Sequence, residues 1–201
     1  MRGAVLAGGA ARRYAGRPKG LLEVGGRRIL DRVVEGVAAA TGAPPVIVAN
    51  AEGAGLWRPD LTTIRDVRPG LGALGGIHTA VVHGDGPVLC VAWDMPFVPQ
   101  ELLAALVAEA RAGAWDAVLP ESGGKRELEP LCAVYGPGCR TAIERQLDAG
   151  DLRAIAFHAD VRVGILPLAR VRAFGDPAEL FFNVNTPDDL GRAEAVWRRR
   201  G

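Results

Sequence analysis

Cysteine is scarce in this sequence: Cys90, Cys132 and Cys139 are all there is among 201 residues. The number is odd and no two form a CxxC pair, which argues against a disulfide framework or a zinc ribbon. A reducing compartment, the cytoplasm, is the expectation. Charge of one sign is lacking as well. The 24 Lys plus Arg against 23 Asp plus Glu leave a net charge of +1, so no global field draws the chain to nucleic-acid phosphates. No apolar run approaches the ~18–20 residues of a membrane span. The opening MRGAVLAGGA is short and soon followed by arginines, and reads as a first strand and not a signal peptide. A GxxxxGK[ST] motif, an internal repeat, a low-complexity tract and a Pro/Ser-rich linker are all missing. His78, His83 and His158 are scattered, with no metal-ligand spacing.

What is there is globular. A hydrophobic share of 49% with 23% charged residues is ordinary for a folded domain. A chain of this size buries about 70% of its surface without staples. One domain over residues 1–201 is the simplest organisation. Short apolar runs alternate with amphipathic ones. Gly3–Leu6, Val46–Ala49, Val88–Trp93, Ala117–Leu119, Leu131–Tyr135 and Val161–Leu166 read as strands, with Thr62–Asp66 a weaker one. Ile29–Ala40, Leu102–Ala112 and Thr141–Leu147 carry helical spacing, and Ile77–Val82 suggests a short helix. The last helix has its own start signal, Thr186 as N-cap, Pro187 at the first position and Asp189 three residues after the cap. This alternation predicts a doubly wound, Rossmann-like α/β fold with a mostly parallel sheet. In such sheets ligands sit beyond the carboxyl ends of the strands.

The residues following the strands therefore carry the chemistry. After the first strand, Gly8 and Gly9 remove side chains where backbone N–H groups can approach an anion, and Arg13 and Lys19 add positive charge. This suits a polyphosphate; a solvated Gly/Arg turn fits the same residues. Asp94 follows a strand expected to be buried. It reads as a hard oxygen ligand for Mg²⁺ or as a cap of the turn before Pro96. Gly70-Leu71-Gly72-Ala73-Leu74-Gly75 satisfies GxGxxG. The interrupted segment before it and the short helix expected after it speak against a dinucleotide fingerprint. Cys90 reads as core. Trp57, Trp115 and Trp197 are expected to pack, and Arg198–Arg200 to complement a helix dipole in solvent. Glu121–Glu129 reads as a surface loop or a loop over the site.

LAGGAARRYAGRPKGLLEVGG resembles, without a gap, the LAGG-xxx-R-M-G-xxx-K-G-LL-x-x-x-G loop of the molybdenum cofactor guanylyltransferases. These belong with the sugar-nucleotide transferases. The resemblance runs on in order through VIVAN, IRDVRPGLGALGGI, AWDMPFVP, EPLCAVY and FFNVNTPDDL, most of the chain. It implies a nucleotide-diphospho-sugar transferase fold. It implies that Leu6, Ala7, Gly8 and Gly9 meet the nucleotide through the backbone and that Lys19 and Arg13 contact its phosphates. Asn50 and Asp66 match nucleotide-contacting positions, Asp94 the Mg²⁺-binding aspartate, and Asn185 a residue approaching the same metal. The catalytic set so implied is Arg13, Lys19 and Asp94. There are departures from the family pattern: Tyr14 and Ala15 replace Met and Gly, Pro18 an Asp, Trp93 a frequent Cys and Glu129 a His.

The activity implied is transfer of GMP from GTP to molybdenum-loaded molybdopterin with Mg²⁺, releasing pyrophosphate. Transient contacts with cofactor-biosynthesis or apo-molybdoenzyme proteins follow, with no nucleic-acid or membrane partner. Cytidylyl transfer to molybdopterin, nucleotidyl transfer to a sugar phosphate, and a non-catalytic nucleotide-binding regulatory domain are the alternatives.

Overall fold

A computed structural model describes residues 1–8, 18–124 and 127–200. Strand β1 (Arg2–Leu6) leads, after the first loop, to a small antiparallel hairpin of β2 (Glu23–Val24) and β3 (Arg27–Arg28). Helix α1 (Ile29–Thr41) follows, then β4 (Val46–Val48), β5 (Thr63–Ile64), α2 (Gly72–His83), β6 (Val88–Ala92) and α3 (Gln100–Ala112). The second half contains β7 (Ala117–Pro120), β8 (Cys132–Tyr135), α4 (Arg140–Asp148), β9 (Val163–Leu166), α5 (Leu168–Arg172), α6 (Pro177–Leu180) and α7 (Pro187–Arg200).

All strands except the hairpin form one seven-stranded sheet in the order β5-β4-β1-β6-β8-β7-β9. Its pairs are parallel apart from β8, which runs antiparallel to both β6 and β7. The expected doubly wound, mostly parallel α/β architecture is the one found. The core lies on both sheet faces, as parallel strands covered by helices require. On one side α1 presents Ile29, Leu30, Val33, Val34 and Val37, all buried, beside Leu102, Leu103 and Leu106 of α3. On the other side α2 and α4 bring Leu74, Ile77, Ile143 and Leu147 against Ala4, Leu6 and Cys90. Every residue of β6 is buried, so the sheet is sealed beneath its central edge.

Several boundaries differ from the sequence reading. Helix α2 starts at Gly72, five residues ahead of the expected Ile77, and runs twelve residues. The glycines at 72, 75 and 76 hide the helical spacing, because glycine is a poor helix former; burial of Leu74, Ile77 and Ala80 overrides that preference. The segment Gly70–Gly75 is therefore a turn and a helix start. The strand expected over Thr62–Asp66 shrinks to Thr63–Ile64, and that over Val161–Leu166 begins at Val163. Trp57 packs as expected, while Trp115 and Trp197 stay 42% and 37% exposed. Arg199 and Arg200 do more than face a helix end in solvent: both pair with Glu179. Among the described residues no helix is long and apolar enough to cross a membrane.

Candidate functional site

Strands β1 and β6 lie side by side in parallel, with Leu6 opposite Ala92, so their carboxyl ends open onto the same edge. The chain leaving β1 is held there by Ala7 N donating to Val48 O and by Trp93 N donating to Leu6 O. This register sets Gly8 and Asp94 at one cavity of about 150 Å³. Leu6 and Leu131 form apolar wall, and Asn50 and Asp66 add polar groups on the β4–β5 side. Gly72, Ala73 and Gly76 close it with the first turns of α2, whose small residues leave room for a flat ligand. The cavity sits where the fold class places ligands, beyond the strand ends.

Asp94 is partly buried, and burial pushes its carboxyl above the usual carboxylate range, opposed by the charge of Lys19. Lys19 itself heads a 3-10 turn, Lys19–Leu21. Its Nζ donates to Asn185 Oδ1 at 2.6 Å, across 166 residues of chain. Asn185 is held from below. Its backbone N–H and that of Thr186 both donate to Asp189 Oδ2, and Thr186 Oγ1 accepts from Asp189 N. This is the capping box anticipated at the start of α7. The neighbouring Val184 N donates to Asp94 O at 2.9 Å, which docks the Asn183–Thr186 turn onto the strand end that carries Asp94. The structure thus gathers Leu6, Gly8, Asn50, Asp66 and Asp94 around one cavity, with Lys19 and Asn185 alongside. Ala7 is buried in the strand exit. Gly9 and Arg13 lie outside the described residues.

A cation's place at Asp94 can be tested on the donors present. Among the described residues no three His, Cys, Asp or Glu side chains cluster, and the cavity offers the carboxylate oxygens of Asp94 at one strand end and of Asp66 on the β4–β5 side. That suits Mg²⁺, which keeps several waters and takes its remaining oxygens from phosphates. A carboxylate pushed towards its neutral form by burial gains most from a cation that restores its charge. Asn185 Oδ1 is already engaged by Lys19. None of the histidines joins this site. His78 is a structural histidine, buried in α2 with Nε2 against Glu144. The cysteines take no part either, since burial pushes the Cys90 and Cys132 thiols up.

A family model described as MobA-like NTP transferase domain matches residues 3–163. The chain belongs to the MobA-like NTP transferase family. It is a nucleotidyltransferase. It is 40% identical over 195 residues to a protein of Pelotomaculum thermopropionicum named "Probable molybdenum cofactor guanylyltransferase", covering 96% of this chain and 92% of that one. It is 35% identical over 196 residues to the molybdenum cofactor guanylyltransferase of Desulfosudis oleivorans, covering 96% and 94%. Among solved structures, molybdopterin-guanine dinucleotide biosynthesis protein A of Archaeoglobus fulgidus superposes with a TM-score of 0.83 at 31% identity, over 99% of this chain and 100% of that one. A 4-diphosphocytidyl-2C-methyl-D-erythritol synthase of Anaerococcus prevotii, 14% identical over 98% of this chain and 96% of that one, shares the fold with a TM-score of 0.71.

The site of this nucleotidyltransferase also holds features that sequence reading missed. Leu131 lines the cavity and is tied to Glu129, whose Oε1 accepts its N–H at 3.1 Å. The EPL run gave the position but no signal of that hydrogen bond, since Glu129 pairs with backbone. The hairpin β2–β3, which follows the Lys19 turn directly, has its sequence signal in Gly25-Gly26 between Val24 and Arg27.

Proposed function

We propose that this chain transfers GMP from GTP to a molybdopterin-type acceptor, with Mg²⁺ and release of pyrophosphate. One observation carries the reading: a side-chain-free strand exit at Gly8 and the partly buried carboxylate of Asp94 line the same cavity, with Lys19 next to them. The names of the relatives support the guanylyl branch and this acceptor.

Leu6, Ala7, Gly8 and Gly9 offer main chain to the nucleotide, and Asn50 and Asp66 contact it from the β4–β5 side. Lys19 and Arg13 neutralise the charge that grows on the leaving pyrophosphate. Asp94 would hold Mg²⁺, whose charge would screen the phosphates. The acceptor phosphate is already ionised near neutral pH. Its oxygen attacks the α-phosphorus in line, the bond to the β-phosphate bridging oxygen breaks, and no general base is needed. Positioning and electrostatics supply the rate. Asn185 serves here as the anchor of Lys19.

We read the chain as one domain over residues 1–201 working in the cytoplasm, where its three buried, unpaired cysteines stay reduced. It meets cofactor-biosynthesis or apo-molybdoenzyme proteins transiently, and neither nucleic acid nor membrane is its partner. The test is a panel of four nucleoside triphosphates with molybdenum-loaded molybdopterin, scored by pyrophosphate release. GTP is expected to give the most. CTP giving the most moves the enzyme to cytidylyl transfer; saturable GTP binding without pyrophosphate makes it a regulatory domain.

A further inference from the structure

Trp93 stands immediately before Asp94 and is only 3% exposed. Its ring stacks on Trp57, with centroids 4.9 Å apart and planes 23° from parallel. The same ring meets the backbone of Gly20. A Cβ added at Gly20 would lie 2.4 Å from Trp93 Cε3 and 2.7 Å from Cδ2, so only glycine allows this approach. Gly20 directly follows Lys19 within a 3-10 turn closed by Leu21 N donating to Pro18 O and Leu22 N donating to Lys19 O. One indole is thus bonded through the chain to the residue bearing the carboxylate and touches the residue next to the ammonium. Its own backbone N–H is fixed on Leu6 O. The indole Nε1–H is buried, with no hydrogen-bond partner among the described residues. The contacts with Trp57 and Gly20 are made by the ring itself, through its size and flat face.

We infer that Trp93 is a positioning residue: its ring, held against Trp57 and the backbone of Gly20, sets the offset between Lys19 and Asp94. This rests on the reading that those two charges act on one triphosphate. Close coupling of reacting groups makes rate more sensitive than binding, because a displacement of about 1 Å costs on the order of 100-fold. Trp93 also borders the cavity, and the effect inferred here runs through Lys19 and falls on kcat.

The experiment compares W93F, W93A and G20A with the parent chain in two measurements. The first is steady-state kinetics with GTP, Mg²⁺ and molybdenum-loaded molybdopterin. The second needs no turnover. The chain has just two lysines, Lys19 and Lys125, so acetylation with N-acetoxysuccinimide, followed by peptide mass spectrometry, gives the labelling rate of Lys19 against an internal reference. For W93A and G20A, kcat is expected to fall about 10-fold or more with KM for GTP within about threefold, and Lys19 to label several-fold faster relative to Lys125. W93F keeps the flat face, so kcat and the labelling ratio stay within about threefold of the parent. G20A perturbs the loop side alone and carries the test if W93A fails to fold. Parent-like kcat in G20A, an unchanged labelling ratio, or a loss in W93F as large as in W93A overturns the inference. A parent chain that turns over no GTP sinks the functional reading instead, and the labelling ratio still decides whether Trp93 holds Lys19.

Discussion

The side chains of Asn50 and Asp66 close on each other at the rim of the cavity. Asn50 Nδ2 donates to Asp66 Oδ2 at 2.5 Å, and Asp66 N donates to Asn50 Oδ1 at 2.9 Å. The two residues follow neighbouring parallel strands, β4 and β5, so the pair locks the outer strand exit as well as orienting a carboxylate towards the ligand space. N50D would set two carboxylates side by side where an amide now meets one. The expected outcome is a rise in KM for GTP of about 10-fold or more, from like-charge repulsion and loss of the donor. kcat should change less. N50A, which removes the clasp without adding charge, should raise KM by a smaller factor. Initial rates of pyrophosphate release against GTP concentration check both; an N50D value of KM equal to the parent's would remove this pair from nucleotide binding.

Asp94 separates function from stability. Burial raises its pKa in the folded chain above the ordinary value near 3.9, so the native state holds its proton more tightly than the unfolded state. Stability contributed by the protonated form is present at low pH and is lost as pH rises from about 4 through the folded pKa. D94N, neutral at every pH, should therefore raise Tm at pH 7, with the gain shrinking towards pH 4. The same change should abolish most turnover while GTP binding falls little, since it leaves the Gly8 backbone and Lys19 in place. Thermal melts at pH 4 and 7 together with titration calorimetry for GTP are the measurements. A D94N enzyme with parent turnover would refute the metal assignment.

Much of this fold was legible because its strands are nearly pure apolar runs: Val88–Ala92 and Val46–Val48 announce buried parallel strands by composition alone. The start of α7 was equally plain, since Thr186, Pro187 and Asp189 satisfy the helix end through local chemistry. What stayed hidden depends on distant partners. The helical start at Gly72 is decided by burial against the sheet, not by propensity. The pairing of Arg199 and Arg200 with Glu179 joins α7 to α6, an element of four residues with no periodicity to read. In the site, strand-end positions could be located from the sequence, because the fold class dictates where they open. The link from Lys19 to Asn185 spans 166 residues and has no local signature.

His158 supplies an acid-sensitive element away from the site. Burial beside Tyr135 and Phe157 depresses its pKa to about 4, and among the described residues its Nε2 has no partner to offset the charge. Between pH 6.5 and about 4 the unfolded chain binds a proton that the folded chain refuses. This part of the stability is complete above pH 6.5 and declines as pH falls towards 4. H158F should flatten that slope. Urea unfolding midpoints measured at pH 4.5, 5.5 and 7 for both proteins test it, and an equal acid slope in the two would place the sensitivity elsewhere.

The hairpin after the Lys19 turn depends on two adjacent left-handed residues, Gly25 at φ +58° and Gly26 at φ +72°. An L side chain in that region costs roughly 1–2 kcal/mol, which is the loss expected for G26A, where nothing lies near the added Cβ. Gly25 bears a second constraint. A Cβ there would lie 2.1 Å from Trp197 Nε1, and that indole already carries the Arg32 guanidinium 4.0 Å above its ring. The Gly25 N–H also donates to Glu194 Oε1 at 2.9 Å, so the turn is clamped onto α7 from two directions. G25A should therefore destabilise more than G26A, by displacing Trp197 as well as straining φ. The two causes can be parted: in a W197A background the steric component disappears, and the cost of G25A should drop to that of G26A. Thermal melts of the single and double variants measure this directly. Equal losses for G25A with and without Trp197 would show that the backbone conformation alone, and not the contact with α7, makes glycine necessary at position 25.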